Sequence, residues 1–213
     1  HRRYKKRNLQ SAVAAIMAWA DANPGLFIAM GLDSEISQHG PSADAGLEAL
    51  WSDYNPASIR EFRAWLGQRW MDDIAAFNAA MGVSGGEAWQ SFLSDGDGVG
   101  GADIDPPRDP ACIDAPGCAC DSGAGHPNVT ACDVYWREWL RFRQIQVDAM
   151  VEDTTAWARE AGAPADRVYA HQIPQARKSD PLWQRLASPL FTAVTGQGSC
   201  GITTYDEAAG DTE

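Results

Sequence analysis

Asp33, Ser34 and Glu35 stand where the apolar run of "FIAMGLDSEISQHG" turns polar. A carboxylic acid at the rim of a buried strand is partly desolvated. Desolvation raises its pKa and suits it to donate a proton to a leaving group. Holding carboxylates beside a core is costly unless they are hydrogen-bonded, paired or used. Glu35 is therefore the leading candidate for a general acid/base. Asp33, two residues earlier on the same side of an extended strand, suits an orienting role through hydrogen bonds. The competing structural reading is a carboxylate that caps the next helix or pairs with an arginine.

Two later stretches end in the same way. "RVYAHQ" delivers His171 and Gln172, and "CGITTY" delivers Tyr205 with Asp206 after it. A histidine there can serve as base, metal ligand or hydroxyl-binding donor, or simply satisfy a local backbone group. Gln172 suits hydroxyl recognition because an amide both donates and accepts. No HExxH, phosphate-binding glycine loop, GxSxG or GxGxxG occurs, so zincin, phosphoryl-transfer, serine-hydrolase and dinucleotide chemistries lack their usual anchors.

The surrounding pattern says what positions these residues. Leu9, Val13, Ile16, Met17 and Ala20 recur at helical spacing, and "DANPG" breaks that helix. "LFIAMGL" does not alternate and reads as a fully buried strand of the parallel kind. Asn55 and Pro56 open a helix with Ile59, Phe62, Leu66 and Trp70 on one face. Ile74, Phe77 and Met81 continue at the same spacing, Gly82 stops the run, and 86–92 is expected to form a short helix. Residues 133–160 lack Gly and Pro and read as one long helix, ended by Gly162 and Pro164. Helices alternating with buried strands predict an α/β fold with a parallel sheet or barrel. In such folds active residues gather at the carboxyl ends of the strands.

An irregular excursion spans about 94–131 and holds three of the five cysteines, with a fourth, Cys132, directly after it. Cys112, Cys118, Cys120 and Cys132 form an even-numbered cluster with His126 among them. Two disulfides stapling the loop is the first reading, and a tetrahedral zinc site the second. Asp95, Asp97, Asp103 and Asp105 do not follow the calcium-loop spacing, so a solvated acidic loop is preferred and no metal is assigned. Asn128 in "NVT" is a glycosylation acceptor in a secretory eukaryotic setting.

Arg2, Arg3, Lys5, Lys6 and Arg7 supply five of the 17 basic residues, so residues 8–213 carry 12 basic against 29 acidic groups. Such a body repels nucleic acid, which binds to basic faces. The basic start reads as a solvated helix face in preference to a phosphate-binding or nuclear-type patch. No apolar run approaches the ~20 residues of a membrane span. Acidity and clustered cysteines point to an exported protein, extracellular or periplasmic.

Three stretches taken in order carry a resemblance: "GLDSEIS", then "YNPASIREFRAWLGQRWMDDIAAFNAAMG" leading to "DIDPPR", then "WREWLRFRQIQVDAMVEDTTAWAREAGAPADRVYAHQIP". Together they resemble the beta-galactosidase-type glycoside hydrolases of family forty-two and their relatives in the clan of retaining (β/α)8-barrel glycosidases. The resemblance implies a partial TIM barrel over 1–213, about strands four to six with their helices and the cysteine-containing loop. It implies retaining hydrolysis of a glycosidic bond, with no cofactor and a carbohydrate substrate. Glu35 matches the acid/base glutamate that ends strand four. Ser34 stands where the family has an asparagine that contacts the sugar. Asp33, Ser34, His171, Gln172 and Tyr205 would line the sugar site. The nucleophilic glutamate of strand seven is expected beyond residue 213. The family's zinc cysteines lie close behind the acid/base residue, unlike those here, and that site is not transferred. The alternative is a carbohydrate-binding barrel that has lost catalysis, which Ser34 would fit.

Overall fold

The structure is a computed structural model. It describes residues 2–32, 54–83, 85, 88–93, 103–107, 129–172 and 199–202. The elements are α1 (Arg2–Ala22), β1 (Met30–Leu32), α2 (Pro56–Arg69), α3 (Ile74–Ala80), α4 (Cys132–Glu160), β2 (Val168–Gln172) and β3 (Ser199–Ile202). The architecture is mixed and helix-rich, with one parallel sheet. The chain forms two compact units. Residues 144–160 of α4 belong to the first, with α1 and the strands. Residues 132–143 belong to the second, with α2 and α3.

In the first unit the sheet order is β1-β2-β3 and both pairings are parallel. Met30 and Leu32 pair with Val168 and Ala170. Met30, Leu32 and Val168 pack with Val13 of α1, Ala158 of α4 and Ala163. Val147 and Val151 of α4 pack on Ala170. The expected buried stripe of α1 forms at Val13 and Ala20, with Leu9 and Met17 packed beside it. Ile16 is an exception at 42% exposed. The apolar run "LFIAMGL" also departs from full burial. Leu26 and Ile28 are exposed, and β1 itself alternates buried, exposed, buried. Phe27 already packs on the core before pairing with β2 begins at Met30, and among the described residues a Cβ at Gly31 would meet nothing.

The second unit is built on aromatic packing. Phe62, Leu66, Phe77, Met81, Trp89, Tyr135, Trp136 and Trp139 are all essentially inaccessible. Trp139 meets Phe62 edge-on at 5.0 Å between centroids and Phe77 lies 5.4 Å from Trp89, separations at which ring quadrupoles attract. Asn55 caps α2 as expected, its side-chain oxygen accepting from the Ala57 and Ser58 amides. The helical spacing through 59–81 hides a break. Met71 and Asp72 both take left-handed φ, and Asp73 recaps the chain by accepting from the Ala76 amide. Gly82, at φ +68, ends the run, and a Cβ there would strike the Thr130 side chain.

Three polar devices organise the irregular segments. The amide of Asn78 donates to the Trp89 carbonyl at 2.7 Å and accepts from the Trp89 N–H at 3.1 Å. Residues 88–93 are accordingly irregular, and the helix expected over 86–92 does not form at its described positions. A side chain that satisfies both backbone groups removes the need for a helical partner. Arg63 donates to the Ile104 carbonyl and the Asp105 carboxylate, and lies 3.3 Å from Asp103. The Tyr54 hydroxyl donates to the Pro107 carbonyl and that of Tyr135 to the Asp105 carbonyl, while Ile104 enters the core. Glu138, nearly inaccessible on α4, accepts from Arg69 at 2.5 Å.

Two expectations follow. Asn78→Ala strands two buried backbone groups of Trp89, and should cost about 3 kcal/mol in urea unfolding. Burial holds the Tyr135 hydroxyl well above its ordinary pKa, with Asp105 reinforcing the shift. Its neutral form is therefore the folded form. The stabilisation is complete below about pH 10 and is lost as pH rises from there towards the folded pKa. Wild type should lose stability in that alkaline window, and Tyr135→Phe, although less stable at neutral pH, should show a shallower alkaline decline.

Candidate functional site

The candidate site is the carboxyl edge of the sheet. Because all three strands are parallel and neighbours in order, their carboxyl ends leave along one edge. Leu32 ends β1 and is level with Ala170, the residue before His171. His171 and Gln172 end β2, opposite Gly201 and Ile202 of β3. The described ends of the three strands, at Leu32, Gln172 and Ile202, therefore lie along a common edge as backbone. A sheet with these strands antiparallel or in separate layers would have scattered them.

Local sequence explains the placement. Gly162, at φ +104, terminates α4 with its amide bonded to the Arg159 carbonyl. Pro164 and a short 3-10 turn at Ala165–Arg167 then aim the chain into β2. Arg167 donates to the Phe27 carbonyl at 2.9 Å and so ties the entry of β2 to the approach of β1. Val168 and Ala170 face the cover supplied by α1 and α4, which fixes the strand's register by its apolar side.

Asp33, Ser34, Glu35 and Tyr205 lie outside the described residues, as do Asp206, His126 and the cysteines at 112, 118 and 120. Cys132, the first residue of α4, is buried, with its sulfur 3.5 Å from the Val129 carbonyl oxygen. Among the described residues no group of three or more His, Cys, Asp or Glu is arranged to hold a metal ion. Nor, among them, is any helix long and apolar enough to cross a membrane.

One group escaped the sequence reading. Asp148 sits on α4 between Val147 and Val151, which pack on Ala170 of β2. Burial raises its carboxyl pKa, and the bond donated by Gln144 at 2.8 Å partly offsets the shift. The only signal in sequence was a carboxylate next to a buried helical position, which is common on amphipathic helices. No family model matches the sequence, and no curated protein or solved structure matches it either.

The raised pKa makes a signed prediction. Charging Asp148 opposes folding, so its contribution is most favourable below the unfolded pKa and is lost as pH rises through the folded one. Asp148→Asn should raise the Tm at pH 7, and the gain should vanish on acidification to about pH 3.

Proposed function

We propose that the chain belongs to a glycoside hydrolase acting with retention, of the beta-galactosidase-like (β/α)8-barrel type, in which it forms about strands four to six. One observation supports the reading. Three parallel strands in sequence order end on one edge; His171–Gln172 end β2, and the stretches carrying Glu35 and Tyr205 follow β1 and β3 in the sequence. Glu35 follows β1 at the distance in sequence expected of a strand-end acid/base. Retaining hydrolysis needs this group twice. It protonates the leaving oxygen in the first step, then deprotonates the water that releases the sugar from the nucleophile. The partner carboxylate is not assigned to any residue of 1–213. Asp33 would orient Glu35, while Ser34, His171, Gln172 and Tyr205 would hold sugar hydroxyls. The cysteine cluster would staple the segment that precedes α4, as suits an exported enzyme.

The test is turnover of a panel of aryl glycosides by the intact protein and its Glu35→Gln variant. The amide cannot exchange a proton at working pH, so kcat/KM should fall by about 10²–10⁴-fold. Sugar binding by calorimetry should persist. Wild-type binding with no turnover of any glycoside would instead identify a carbohydrate-binding barrel without catalysis. Neither binding nor turnover would refute both.

A further inference from the structure

The basic start of α1 is divided between two tasks. Arg2 pairs with Asp153 at 2.6 Å and Lys6 with Glu160 at 2.7 Å. Both cations also lie about 6 Å over the Trp157 ring, at 5.9 and 6.0 Å. These two residues hold α1 against the last turns of α4. Gln10 donates to the same Glu160 oxygen at 2.8 Å. Glu160 is thus engaged twice within the helix contact, and its own charge is answered there.

Arg3 and Arg7 are left for something else. They stand one helical turn apart on one stripe, and neither makes an ion pair among the described residues. Arg7 only rests 5.5 Å over the Tyr4 ring. Together they open a groove of about 570 Å³. Ser11 and Ala14 carry the stripe onward, and Glu160 and Ala161 form the opposite wall. The groove is shallow and open to solvent, so a ligand there would be held by charge more than by enclosure. Residues 8–213 are strongly acidic, and the groove is lined by two arginines that make no ion pair among the described residues.

We propose that this groove binds a small molecule bearing a tetrahedral oxyanion, of the phosphomonoester or sulfate-ester class. The two arginines stand one helical turn apart on one stripe, and each guanidinium can offer paired N–H donors to the oxygens of one such group. The Ser11 hydroxyl, one turn further on, can meet a neutral hydroxyl of the ligand, and Ala14 and Ala161 accept its less polar body. The proposal is independent of the glycosidase reading, because it uses none of the strand-end residues.

The experiment is isothermal titration at low ionic strength with glucose 6-phosphate, inorganic phosphate and glucose. Wild type should bind the phosphate ester with a Kd of about 1 mM or below, bind inorganic phosphate more weakly, and ignore glucose. Arg3→Gln/Arg7→Gln should weaken the ester by about tenfold or more. Lys5→Gln, outside the groove, should leave it unchanged. The single variants Arg3→Lys and Arg7→Lys keep the charge but lose the fork, and each should weaken it measurably. Equal affinity in the double glutamine variant, an equal loss in Lys5→Gln, or no ester binding by wild type up to about 10 mM would overturn the proposal.

Discussion

Parallel pairing of β1 with β2 is the constraint from which the first unit follows. Parallel neighbours cannot be joined by a hairpin, so the chain must leave at the carboxyl end of β1 and return at the amino end of β2. Residues 33–167 make that return, and α4 is its last helix. The same constraint decides where chemistry can sit. The three described strands end on one edge, so the chain leaves each of them along the same side of the sheet. The apolar face fixes the register. Met30, Leu32, Val168 and Ala170 must all meet α1 or the second half of α4, and a slip of one residue would turn them away.

The second unit meets a different difficulty. Its core is aromatic and buried, yet irregular backbone enters it at Trp89 and Ile104. Backbone groups carried into such a core need partners as surely as those of a helix. Asn78, Arg63, Tyr54 and Tyr135 provide them one at a time. Tyr135 shows the cost of this solution. Its ring belongs to the core and its hydroxyl to the Asp105 carbonyl, so the phenol is committed to the neutral state.

Regular elements were legible where periodicity and punctuation agreed. Asn55-Pro56 and Gly162-Pro164 placed helix ends because a cap and a missing donor act locally. The strands were legible as short apolar runs, and the parallel pairing of β1 with β2 agrees with the helices between them, whereas that of β2 with β3 was not read from any intervening helix. What escaped depends on tertiary context. The turn at Met71–Asp72 lies inside an unbroken helical period and places left-handed φ at two consecutive non-glycine residues. The bracketing of Trp89 by Asn78 joins positions eleven apart that no local pattern couples. Exposure of Leu26 and Ile28 reflects where pairing starts, which composition does not encode. At the strand ends the residue types were readable. Of the named residues, only His171 and Gln172 fall within a described strand.

Ser34 is where the proposed chemistry departs most from its resemblance. An asparagine beside the acid/base supplies an amide that both donates to and accepts from a sugar hydroxyl. Hydrogen bonds there strengthen as positive charge develops at the reacting carbon, and contribute several kcal/mol. A serine hydroxyl also donates and accepts, but from a shorter stem with one donor instead of two. An amide is nonetheless present on the neighbouring strand. Gln172 ends β2, which is hydrogen-bonded directly to β1. By residue type, Gln172 matches the amide that position 34 lacks. On the proposed reading the set of sugar-binding residues keeps an amide, so loss of the Gln172 amide should lower kcat/KM more than loss of the Ser34 hydroxyl.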